Sequence, residues 1–303
     1  FADRQPTASS AKNWRVQSLG IICFTIWVLM TGSTVTQGRL ITSSIAAILM
    51  LSSVIVIGYL GQLSLANLTF AGVAAYLSSR FAADGSIYGF SPFPLEGPGF
   101  PSPIAMVLGV TIAVGVGILI AIPAVRIRGL QLAVVTLAGA VAITEIIMGN
   151  ESLIGKGARS NLNVPPPKWF GVEITVDPSV SRDRPTLIIF CCFWLIFAIF
   201  SVAGLRRGIT GRKFLAVRAN EKAASSIGIN VPNAKLLGFG IASALAGIAG
   251  VLTAYQQTVL QISTWDALAG IGNVSLLFLG GVAHIGGALI GAALAPAGIL
   301  STT

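Results

Sequence analysis

The residues able to do chemistry in this sequence are few, and most of them are uncharged. There is one histidine, His284, and three cysteines, Cys23, Cys191 and Cys192, all within apolar runs. That set does not assemble a His/Cys metal centre, and adjacent Cys191 and Cys192 do not readily pair with each other. No Gly-x-x-x-x-Gly-Lys-Ser/Thr loop is present, so the chain does not hydrolyse ATP by that route. No catalytic residue, metal ligand or bound cofactor is expected. What remains is polar side chains at helical spacing and one short polar loop, arrangements suited to binding and movement.

Gln62, Thr69 and Tyr76 recur every seven residues, which places them on one face of a helix with a drift of about 20° per heptad. Ser64 and Asn67 form a neighbouring polar strip. Polar groups are costly against lipid, so this face is expected to meet protein or water, either in helix–helix hydrogen bonds or as the lining of a translocation path. An unwound start at Tyr59–Gly61 would expose backbone groups able to bind solutes. In a second run, Gln131, Ala138 and Glu145 share a face by the same spacing. Glu145 lies about one turn from the outer end, where snorkelling to water or pairing with an arginine competes with a role at the pathway mouth. Trp265 and Asp266 suit an interface, and His284 a cytoplasmic-side bend.

The polar loop, residues 205–235, is the most informative segment. Gly211–Asn220 (GRKFLAVRAN) reads as a basic amphipathic helical turn containing Arg218. Asn220 can then cap a short helix, Glu221–Ile227, with Glu221 on its positive dipole end. Gly228 falls where a helix needs a left-handed stop, and Pro232 suits the first turn of the next helix. A capped surface rod between two spans can receive a mechanical push. An ordinary basic loop helix on anionic lipid is the competing reading.

The elements that hold these residues follow from composition. Of 303 residues, 54% are hydrophobic and 10% charged, with mean hydropathy +0.85. Soluble chains carry about 25% charged residues, so a soluble enzyme is excluded, as is a disordered or fibrous chain. A span needs about 20 apolar residues. Gln17–Thr36, Ile41–Leu60, Gln62–Ala83, Ile104–Val125, Leu130–Gly149, Thr186–Leu205 and Leu236–Thr258 qualify, and Gly270–Val282 and Ala288–Leu300 are shorter. The last two are either shortened helices or a helix followed by a cut-off span. The expected fold is an all-α, polytopic transmembrane bundle of eight or nine membrane segments, with residues 1–16 a polar cytoplasmic tail, 17–303 the membrane domain and 150–185 an external loop.

Net charge is +9. A nucleic-acid partner is rejected, because Lys and Arg concentrate between apolar runs. With the N-terminus in the cytoplasm, twelve of the nineteen lie inside and seven, Arg39 and Arg80 among them, outside, the bias expected of cytoplasmic loops. Gly240 and Gly247–Gly250 favour close helix approach, either within this chain or as a sliding surface against a partner.

Several motifs carry a family resemblance. Glu221-Lys-Ala223-Ala224-Ser-Ser-Ile-Gly228 resembles the EAA loop of ABC importer permeases, whose helix docks into a groove of the ATP-binding subunit. Gly61–Leu65 with Phe70–Tyr76, Arg128–Leu137, Gly211–Arg218, Ile227–Asn230, Lys235–Phe239 with Ala244–Gly250, and Leu279–Gly281 with Gly286–Gly291 extend the likeness from about Ile41 to Leu300. The pattern resembles the LivM-type permease subunits of branched-chain amino-acid ABC importers. The resemblance implies an ABC importer permease fold in the cell (inner) membrane, passing branched-chain amino acids or similar small polar solutes. Arg218, Glu221, Ala223, Ala224 and Gly228 would couple it to the ATPase. The implied partners are a second homologous permease, two ATP-binding subunits that hold ATP and Mg, an extracytoplasmic solute-binding protein and membrane lipid. The other function class is an ATP-independent channel or secondary transporter. Two departures stand out: Gly155–Asn161 replaces a Thr-Gly-Gly-Pro-Asn-Gly-like run, leaving the solute open, and the chain stops before the family's usual close, as a truncated or fused polypeptide would.

Overall fold

Among the residues described below, helices take up the apolar runs, because a backbone buried in lipid must satisfy its own hydrogen bonds. The computed structural model describes residues 34–85, 97–127, 130–148, 162–169, 172–174, 184–257, 259–265, 267–296 and 298–299. The polar tail, nearly all of the expected Gln17–Thr36 span, Gly155–Asn161, Arg128 and Asp266 lie outside the described residues.

Helix α1 (Thr34–Ser53) passes into a π-helical turn, Val54–Tyr59. It absorbs Arg39, which the sequence reading had placed in a loop between two spans. Its small polar side chains bond back to the preceding turn, Ser44 to the Leu40 carbonyl at 2.8 Å and Ser52 to that of Leu49 at 2.7 Å, so an apolar span tolerates them. Residues 60–66 are not helical, and α2 runs from Asn67 to Ala82. The expected Gln62–Ala83 span is thereby corrected: Gln62 and Ser64 lie in the non-helical break, and only Asn67, Thr69 and Tyr76 of the candidates are helical. The heptad spacing was real, but glycine at 61 and the π turn before it end the preceding helix and delay the next.

Helix α3 spans Ser102–Arg126, with Pro101 at its cap and Pro103 in its first turn, where a proline costs no intrahelical donor. Helix α4 (Leu130–Ile143) ends in a second π turn, Thr144–Met148. Helix α5 is Arg184–Arg207, α6 Ile209–Ala219, α7 Glu221–Ser226 and α8 Val231–Gln256. Helices α9 (Ala267–Gly280) and α10 (Ile285–Ala293) form a short pair about a glycine turn. Both of the last two apolar runs thus hold short helices among the described residues. Among the described residues, five helices are long and apolar enough to cross a membrane, with α2, α9 and α10 shorter.

The core forms where α8 packs along α1, α2 and α3, with α5 and α10 against α1. α1 is almost wholly buried, as a helix apolar on all sides should be. By contrast α3, α4 and the π turn after α4 expose Ile118, Leu119, Ile122, Val134, Val141 and Ile146, an outward face for lipid or another membrane protein. A Cβ on Gly250 would fall on the Ala71 carbonyl, and one on Gly247 would meet Ala74 at 3.3 Å. These glycines thus serve packing inside the chain. A polar connection is pinned by two-residue strands, β1 (Leu162–Asn163) pairing antiparallel with β2 (Val259–Leu260).

Candidate functional site

The loop between α5 and α8 folds as two helices with a shared joint. Asn220 is extended, at φ −161° and ψ 112°, and its Oδ1 accepts from the amides of Lys222 at 3.0 Å and Ala223 at 3.2 Å. These bonds satisfy two donors that a helix start leaves open. At the other end Gly228 has φ +84°, its amide donates to the Ser225 carbonyl at 3.1 Å, and that of Ile229 to Ala224 at 3.0 Å. This double closure about a left-handed glycine is a Schellman stop. Asn230 then caps α8 through the Asn233 amide at 3.1 Å. A six-residue helix is marginal alone; caps at both ends and its packing hold α7 in place.

Two of the residues expected to couple the chain to an ATPase pack inward in this chain. Ala224 is 2% exposed. Glu221 places Oε1 2.9 Å from Nζ of Lys235, whose side chain is fully buried in the first turns of α8. The pair is an ionic contact rather than an aligned hydrogen bond, and a buried ammonium needs it. The outward face of α7 consists of Lys222, Ala223, Ser225 and Ser226, followed by Ile227, all exposed. Nothing in the sequence pattern marked Lys235 as the partner of Glu221, although it opens one of the motifs of the resemblance.

Arg218, at the end of α6, reaches the other element of interest. Its Nη1 donates to the Gly58 carbonyl at 2.6 Å, in the π turn that precedes the break. Gly61 has φ +69°, and a Cβ there would come 2.7 Å from Cγ of Arg218. A cavity of about 450 Å³ opens beside this bridge, lined by Leu60–Leu63 on one side and Val217–Glu221 on the other.

The polar candidates around the break are buried inside the chain: Gln62, Ser64, Asn67, Thr69 and Tyr76 are each 6% exposed or less. Asn67 donates to Oγ of Ser53 at 2.7 Å, a helix–helix bond, and Ser64 Oγ accepts from the Ala66 amide at 3.4 Å. Gln62 Oε1, Asn67 Oδ1, Thr69 Oγ1 and Tyr76 OH have no hydrogen-bond partner among the described residues. Gln131 and Glu145 are exposed on α4 and its π turn, so they do not join the buried cluster.

A larger cavity, about 1110 Å³, escaped the sequence reading. It lies at the end of α8 away from Lys235, between α1, α8, α9 and the 3₁₀ turn Ile262–Trp265, with Thr42, Gln256, Trp265, Asn273 and Ser275 among its lining. Gln256 donates to Oγ1 of Thr42 at 2.8 Å across it. The available signal was a pair of polar residues within otherwise apolar spans.

A family model described as branched-chain amino acid transport system, permease component, matches residues 36–296. The chain is 27% identical over 251 residues to the high-affinity branched-chain amino acid transport system permease protein LivM of Salmonella typhimurium, across 77% of this chain and 53% of that protein. The Escherichia coli LivM protein gives the same figures. The autoinducer 2 import system permease protein LsrC of Klebsiella pneumoniae is 32% identical over 132 residues, 42% of this chain and 38% of that one. The chain spans about half the length of the LivM proteins it matches. No solved structure matches it.

Proposed function

This chain belongs to the branched-chain amino acid transport permease family, and from that membership we propose that it is the membrane-spanning permease subunit of an ABC importer for branched-chain amino acids or similar small polar solutes. It works in the cell (inner) membrane with its N-terminus cytoplasmic, beside a second homologous permease. Two ATP-binding subunits hold ATP and Mg, and an extracytoplasmic binding protein delivers the solute.

The observation that carries this reading is the doubly capped α7, tied to α8 through Glu221 and Lys235 and joined at Asn220 to α6, whose Arg218 holds the π turn before the break. An exposed face of Lys222, Ala223, Ser225, Ser226 and Ile227 fits a groove on a neighbour. Closure of the ATP-binding subunits pushes α7, and the spans re-pack between outward- and inward-open arrangements. The 1110 Å³ cavity at the far end of α8 offers an apolar wall with hydrogen-bonding groups on Thr42, Gln256 and Asn273, the lining a small amphiphilic solute needs. The orphan acceptors of Gln62, Asn67 and Thr69 lie deeper, where a passing solute gains bonds that the protein leaves open.

Uptake into vesicles tests the assignment. Labelled leucine, with urea and a short amide as alternatives, is expected to accumulate only with ATP, the ATP-binding subunits and the binding protein. Accumulation by this chain alone, without nucleotide, contradicts the proposal and supports an ATP-independent channel or secondary transporter.

A further inference from the structure

The π turn leaves a carbonyl with no place in the helix ladder. Leu60 donates to Ile55 and Gln62 to Val56, at 3.1 and 3.0 Å, and the chain then leaves the helix. The Gly58 carbonyl instead takes the guanidinium of Arg218 at 2.6 Å. A cation on a helix C-terminus also meets the negative end of the dipole. The upper end of the break is held by other elements: the Leu65 amide donates to Oγ1 of Thr136 on α4 at 3.4 Å, and Asn67 is fastened to Ser53. Between Leu60–Leu63 and the end of α6 lies empty volume of about 450 Å³, into which the break can shift. The Arg218 side chain lines that volume, and a Cβ on Gly61 would collide with its stem.

We propose that Arg218 is the positioning residue that transmits displacement of α6 and α7 to the unwound segment 60–66, by holding the Gly58 carbonyl while α4 and α1 anchor the other end. Arg218 then works inward on the permease rather than outward on the ATP-binding subunit. Gly61 is glycine because a left-handed turn and the arginine stem meet there. The inference rests on the coupling role proposed for α7, and the test separates the two.

Reactivity of a Leu63→Cys variant toward a small thiol reagent is measured above the parent chain's background, in complex with the ATP-binding subunits, with and without trapped ATP. In the otherwise unaltered chain the labelling rate is expected to change severalfold on trapping; an unchanged rate there defeats the coupling role itself. Adding Arg218→Met, which keeps the stem and removes the donors, is expected to abolish the ATP-dependent change and to lower uptake about tenfold, the scale of one charged hydrogen bond. ATP-binding subunits stay bound and ATP hydrolysis continues in that variant. Arg218→Lys, which keeps a charged donor, recovers part of both signals. An ATP-dependent change that survives Arg218→Met while the complex stays assembled overturns the assignment to Arg218.

Discussion

A chain carrying Glu221→Lys together with Gly228→Pro is expected to insert in the membrane yet lose its ATP-binding subunits on purification, with uptake falling to background. The first change sets a second ammonium against Lys235, a fully buried side chain whose acidic partner is Glu221. Removing one partner of a buried pair costs about 3–5 kcal/mol, because the remaining charge stays desolvated. Here the lower end applies, as Glu221 retains 20% exposure. The second change demands a proline where φ is +84°, whereas the ring fixes φ near −65°, so the Schellman stop cannot form. The spans carry neither residue in their cores, and insertion survives. Glu221→Gln with Lys235→Met is the matched control: it removes both charges, keeps the cap and the stop, and is expected to keep the complex assembled. Full subunit retention by the Lys/Pro variant would remove α7 from the account.

Gly250→Ala is expected to produce the largest loss of stability among single substitutions in the membrane core. Its Cβ would fall on the Ala71 carbonyl, and backbone cannot move aside as a flexible side chain can. Overpacking of a filled core costs about 1–3 kcal/mol and more where backbone must shift; the upper end applies here. Gly240→Ala is the contrast on the same helix, with Ile118 Cγ1 at 3.7 Å as the nearest atom. It is expected to be neutral or slightly stabilising, since alanine favours helix over glycine by about 0.5–1 kcal/mol. Thermal unfolding in detergent measures both, and equal midpoints would refute the close α2–α8 crossing.

Apolar length alone made the long spans legible, to within a few residues for α3, α5 and α8. The joint at Asn220 and the stop at Gly228 were equally legible, because each uses local hydrogen bonds made within a few residues; the cap at Asn230 was not read, although Pro232 marked the start of that helix. The break at 60–66 was placed too early and too short: Gln62, Thr69 and Tyr76 keep a helical spacing even though Gln62 is not in the helix. Periodicity reports where side chains want to be and carries no record of a π turn before them. The ties that matter most, Arg218 to Gly58 and Glu221 to Lys235, join residues 160 and 14 positions apart. No local pattern encodes them, and both join residues first read as ATPase-coupling to other parts of this chain. The cavity between α1, α8 and α9 went unseen for the same reason, since it exists only after three distant helices meet.

The most direct test is cross-linking from the outward face of α7. Ala223→Cys and Ser226→Cys variants, in the complex purified with its ATP-binding subunits, are expected to cross-link to those subunits, and a Thr42→Cys variant at the opposite end of the bundle is expected not to. Cross-links from Thr42→Cys alone, with residues 223 and 226 reactive only to reagent added on the external side, would contradict the account.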